Sequence, residues 1–135
     1  MKKIKGFTLV ELMIALAVTG ILAAIAVPSY YHFIKSSRLQ AAQTDLVNMS
    51  VSMENYYYQQ LSYPESTTTT TQSQTELKGW VPTQKKYFDY TILRNGNNYT
   101  LSATGISTEN MANYDVSLTN ENVREVNENG NVKTW

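Results

Sequence analysis

The sequence predicts an α+β protein: one long N-terminal helix, apolar in its first half and amphipathic in its second, packed on a small antiparallel sheet of about four strands. Three observations carry this. An apolar run, Phe7–Val27, contains a single charge, Glu11. A stripe of apolar residues at three- and four-residue steps follows it, from Leu39 to Tyr56. Short alternating runs separated by Asn-Gly and other polar turns fill the remainder from Tyr87 to Trp135.

Composition narrows the chemistry. Eleven Lys and Arg balance eleven Asp and Glu, but Lys2, Lys3 and Lys5 all stand ahead of the apolar run. Without those three, eight basic residues face eleven acidic ones, which is no broad footprint for nucleic acid. Cysteine is absent and there is one histidine, so thiol catalysis and thiolate metal sites are excluded and general acid–base chemistry has few candidates. His32 reads as an exposed helix residue. No Gly-rich phosphate loop, metal-ligand spacing or nucleophile–histidine pair is present, so the chain is not expected to be an enzyme and needs no cofactor or metal.

As a helix, Phe7–Val27 is about 30 Å long, close to the hydrocarbon thickness of a bilayer. The preceding lysines favour a cytoplasmic N-terminus. Three readings compete. Ala24-Ile25-Ala26 satisfies the rule for an ordinary secretory signal, which would start the mature chain at Val27. An unprocessed anchor is the second. Glu11 argues against both, because an ionised carboxylate in a membrane helix costs about 2.5–3.5 kcal/mol and neither needs it. The third reading is a cut after Gly6, which creates a charged α-amino group on Phe7, one helical turn from Glu11. That amine, or a neighbouring copy's, would neutralise the carboxylate.

Lys5-Gly6-Phe7-Thr8-Leu9-Val10-Glu11-Leu12 resembles the processing signature of type IV prepilins and of the related pseudopilins of secretion systems. The resemblance implies cleavage between Gly6 and Phe7 by a prepilin peptidase, N-methylation of Phe7, and Glu11 as the assembly carboxylate. It also implies a structural role: insertion in the inner membrane, then transfer through an assembly platform into an extracellular fibre of homologous subunits. The expected divisions are a leader (1–6), an apolar assembly helix (7–28), an amphipathic helix (29–63), a connecting loop (64–86) and the sheet (87–135). In assembled members of the family the stretch between such positions as Gly20 and Pro28 is commonly unwound, and that is the expectation carried over here. A minor pilin supporting adhesion, twitching motility or DNA uptake is the favoured subtype. A major shaft subunit and a type II secretion pseudopilin are the alternatives.

Further along, Ala15, Thr19 and Ala23 recur at four-residue spacing, which suits close helix approach. Tyr30, Tyr31 and Phe33 suit interfacial anchoring or subunit packing. The stripe Leu39, Ala42, Leu46, Met49, Met53 and Tyr56 needs a cover, and the sheet is the obvious one; Asp45 falls among the polar positions. Pro64 ends the helix at the latest. Residues 65–74, ESTTTTTQSQ, read as an exposed mobile loop whose Thr67–Thr71 run offers hydroxyls for O-linked sugars. Lys78, Trp80, Lys85 and Lys86 interleave cations with an aromatic, a candidate strip for DNA or a host surface, although Trp80 equally suits packing under the head. Asn95-Gly96 and Asn129-Gly130 predict hairpins. Glu125, Asn127 and Asn129 mimic half a calcium loop, but an Asn-Gly turn explains them as well. Many heads in the family close with a disulfide; here Thr134 stands where a cysteine would be expected, so sheet pairing or Trp135 packing must serve instead.

Overall fold

The computed structural model describes residues 6–135; Lys2, Lys3 and Lys5 lie outside them. Two compact units divide at Lys35/Ser36. Helix α1, Leu9–Gln60, contributes to both. In the first unit it is helical throughout, including Gly20 and Pro28. Pro28 has no N–H to donate to the preceding turn, while the hydroxyls of Thr19 and Ser29 donate to the carbonyls of Ala15 (2.8 Å) and Ile25 (3.0 Å). The unwinding expected over Gly20–Pro28 is therefore not a property of this isolated chain.

In the second unit the predicted stripe is the core face. Leu39, Ala42, Leu46, Met49 and Met53 are buried, and Tyr56 packs at its margin. The helix stops where Leu61 turns left-handed (φ 56°) and donates its N–H to Tyr57 O at 2.7 Å. Of the three adjacent tyrosines, Tyr57 stacks on Tyr63 at 4.8 Å, Tyr56 is half-buried and Tyr58 is exposed, since consecutive residues cannot share a face.

The cover is a five-stranded antiparallel meander rather than about four strands: β1 Phe88–Asn95, β2 Asn98–Gly105, β3 Tyr114–Thr119, β4 Arg124–Glu128 and β5 Asn131–Thr134, in that order across the sheet. Phe88, Tyr90 and Ile92 of β1 share the core face with Leu101 and Ala103 of β2 and with Val116, Leu118 and Val126. Asn95 pairs with Asn98, so the first hairpin loop is Gly96-Asn97, with Gly96 at φ 60°. The calcium-like residues build the last hairpin: Asn129 and Gly130 take φ 53° and 96°, and Gly130 N–H donates to Asn127 Oδ1 at 2.8 Å.

The polar connection is not a free loop. It contains a second helix, α2 (Thr70–Glu76), capped by Thr69, whose side chain accepts from Gln72 N–H. Its hydroxyls pair with the open edge of β1. Thr67 Oγ1 accepts from Ile92 N–H (2.9 Å), Thr70 Oγ1 from Tyr90 N–H (2.9 Å) and Ser66 Oγ from Arg94 N–H (2.9 Å), while Ser73 Oγ donates to Tyr90 O (2.9 Å). Thr67 and Ser73 are buried as a result. Low complexity here reflects one repeated task, satisfying edge-strand amides.

A second correction concerns Asp45, which is buried rather than on the polar face. Its carboxylate accepts from the N–H groups of Thr83 (2.9 Å) and Gln84 (3.0 Å) and from the Tyr90 hydroxyl (2.7 Å). Burial and this bond hold the Tyr90 phenol well above the ordinary tyrosine range, so it stays a neutral donor.

Candidate functional site

Two places answer to the sequence-predicted site residues. The first is the N-terminal segment. Gly6, Phe7 and Thr8 precede the helix in exposed, non-helical chain, so the Gly6–Phe7 peptide is not locked in intrahelical hydrogen bonds. A Cβ on Gly6 would meet nothing within 4 Å, nor would one on Gly20, so this chain's own fold does not demand glycine at either position. A demand for glycine at position 6 must come from something that contacts it.

Thr8 and Glu11 form a reciprocal capping box. Glu11 Oε2 accepts from Thr8 N–H and from Thr8 Oγ1, both at 2.8 Å, and Glu11 N–H donates back to Thr8 Oγ1 at 3.2 Å. The carboxylate is thus oriented by its own chain. Thr-x-x-Glu is the sequence signature of such a box, and Thr8 is the residue that positions the Glu11 carboxylate. Around this box the helix is bare. Every residue from Phe7 to Phe33 is exposed, Phe7 and Phe33 themselves at 83% and 69%. Exposed apolar surface on this scale must be covered by lipid or by other helices.

The second place is the candidate strip, which the fold does not assemble as drawn. Trp80 is 5% exposed; its indole N–H donates to Asp45 O at 3.3 Å and its ring meets Tyr90 edge-on at 5.5 Å. It packs under the head and offers no stacking face. Lys86 lies 3.9 Å from Glu109 and 5.5 Å from the Tyr87 ring, which the Arg38 guanidinium covers at 3.7 Å. Lys85 is exposed nearby in sequence, whereas Lys78 lines a cleft between α1 and α2. No sequence signal linked Arg38 to Tyr87. Among the described residues no His, Asp or Glu cluster could hold a metal ion.

Comparison with known proteins agrees with this geometry. Residues 1–27 match a family profile described as "Prokaryotic N-terminal methylation motif", and residues 28–116 match "Type IV minor pilin ComP, DNA uptake sequence receptor". A fimbrial protein of Neisseria meningitidis is 33% identical over 93 residues, 68% of this chain and 51% of that protein. The type IV major fimbrial protein FimA of Dichelobacter nodosus is 46% identical over 50 residues, 37% of this chain and 32% of that protein. The type IV major pilin protein PilA of Myxococcus xanthus is 38% identical over 61 residues, 45% of this chain and 28% of that protein. The chain therefore spans about half, or less, of the length of the relatives it matches.

Proposed function

Because this chain belongs to the type IV pilin family and carries a head of the ComP minor-pilin type, we propose that it is a minor subunit of a type IV pilus. It enters the inner membrane with its N-terminus cytoplasmic. A prepilin peptidase cuts between Gly6 and Phe7, Phe7 is N-methylated, and the assembly platform moves the bare helix from lipid into a fibre of pilin subunits. There Glu11 meets a Phe7 amine, and Gly20 and Pro28 let the helix yield. The single observation that carries this reading is the bare Leu9–Phe33 face with Glu11 as its lone carboxylate. The similar proteins reported above are pilins and fimbrial proteins, which supports a pilus over a secretion pseudopilus. Two of those are major subunits, so the minor role rests on the head's family.

The test is intact mass and N-terminal sequence from the native membrane, followed by fibre counts for Glu11→Ala. A chain starting at N-methylated Phe7, with fibre incorporation lost in the variant, is the expected result. A start at Val27 would overturn it. Scarcity in sheared fibres separates a minor subunit from a shaft subunit. A second reading, DNA capture by the head, is favoured by the description of the matching profile and by the adjacent exposed lysines Lys85 and Lys86. Normal fibres with impaired DNA uptake in Lys85→Ala/Lys86→Ala would support it.

A further inference from the structure

The last turns of α1 and the end of α2 enclose a cleft of about 460 Å³, within the usual size range of small-ligand sites. Its lining includes the side chains of Asn55, Gln59, Gln60, Glu76 and Lys78 beside the half-buried ring of Tyr56. None of these polar side chains has a hydrogen-bond or ion-pair partner within the protein among the described residues. Several cations elsewhere on the head are engaged within the protein: Arg94 pairs with Glu65 at 2.7 Å, Lys133 with Glu128 at 3.1 Å, and Arg38 and Arg124 cover the rings of Tyr87 and Trp135. Unspent donors and acceptors here converge on one concavity.

The chemistry of the lining selects the ligand. Three side-chain amides each present two N–H donors and a carbonyl acceptor, which matches the dual donor–acceptor character of adjacent sugar hydroxyls. The Tyr56 ring supplies an apolar platform for the C–H face of a pyranose. Glu76 and Lys78 offset one another, so the cleft carries no net charge to attract an anionic polymer, and the carboxylate repels phosphates. We propose that this cleft is a binding site for a neutral saccharide, with Asn55, Gln59 and Gln60 reading its hydroxyls and Tyr56 supporting its ring. The site lies wholly within the head unit and does not depend on how the N-terminal segment is processed.

The test uses the full-length protein in detergent, with lactose, cellobiose and N,N′-diacetylchitobiose as probes in saturation-transfer NMR and titration. At least one disaccharide should receive saturation. Its affinity should fall about tenfold in Asn55→Ala and in Gln59→Ala, each of which removes hydrogen bonds from an exposed side chain, and should be unchanged in Lys85→Ala. Binding of none of the three disaccharides would overturn the proposal, as would binding that neither Asn55→Ala nor Gln59→Ala weakens. So would displacement of the bound sugar by oligothymidylate, which would make the cleft a nucleic-acid site. Fibre abundance in the same variants should stay at the wild-type level, so a failure of the pilin reading would appear separately, in the Glu11→Ala fibres.

Discussion

Asp45→Ala should be among the most destabilising single changes in the head. The carboxylate is 2% exposed and holds the Thr83 and Gln84 N–H groups and the Tyr90 hydroxyl, at 2.7–3.0 Å. Alanine would orphan these donors and remove the acceptor of the Thr83 hydroxyl, which donates to it at 3.2 Å. Tyr90 is fully buried and no water can replace its partner, which costs about 1–3 kcal/mol. The two amides are only partly buried, and each adds roughly 1 kcal/mol. The sum, about 3–5 kcal/mol, is a large part of the ~5–15 kcal/mol that holds a typical domain together. Asp45→Asn should cost less, about 2 kcal/mol, because one oxygen can still accept. Urea unfolding of the detergent-solubilised chain, followed by tryptophan fluorescence, measures this as a lower midpoint at constant slope. Adding Tyr90→Phe to Asp45→Ala should recover part of the loss, since the orphaned hydroxyl is then gone. A cost for Asp45→Ala under about 1 kcal/mol, or no recovery in the double variant, would refute the view that this carboxylate ties the segment before β1 to α1.

Two further outcomes follow from the polar contacts. Thr67→Val should cost about 1–3 kcal/mol and speed amide exchange at Ile92, because the Thr67 hydroxyl accepts that N–H and is hydrogen-bonded to Ser73 Oγ at 2.6 Å; Thr71→Val, at an exposed position, should stay within about 0.5 kcal/mol. Alkaline pH should loosen the top of the head. Burial first, and then the Glu54 carboxylate, push the Tyr63 phenol up to about 12, and the same two causes raise Tyr99. A folded-state pKa above the unfolded value near 10 means stability is complete below pH 10 and is lost as pH climbs toward 12. Phenolate absorbance should therefore appear late, and earlier in Glu54→Gln; coincident titration of wild type and variant would count against the contact.

Much of the architecture was legible because periodic patterns report which face of an element is buried. Leu39 to Met53 step along one helix face, and all five apolar positions are buried. Asn-Gly pairs marked two of the four sheet hairpins. The failures share a cause. Asp45, Thr67 and Ser73 are polar residues buried by partners distant in sequence, and no periodicity signals such a partner. The Thr run looked like solvent-exposed linker by composition, yet its hydroxyls match the unpaired amides of one strand edge. At the N-terminal segment, Gly6, Phe7 and Glu11 stood out because glycine and a carboxylate at those places contradict the simplest use of an apolar helix. Arg38 over Tyr87 had no such contradiction to announce it.

The last strand of the head is fastened without a covalent link. Strand β5 pairs with β4 from Asn131 to Thr134, and the Trp135 indole N–H reaches Glu125 O at 3.0 Å while Arg124 lies 4.8 Å over its ring. These 135 residues contain no cysteine, so this strand is held by pairing and packing that reductants do not touch. Contacts of this kind can open and re-form, where a broken disulfide would need re-oxidation.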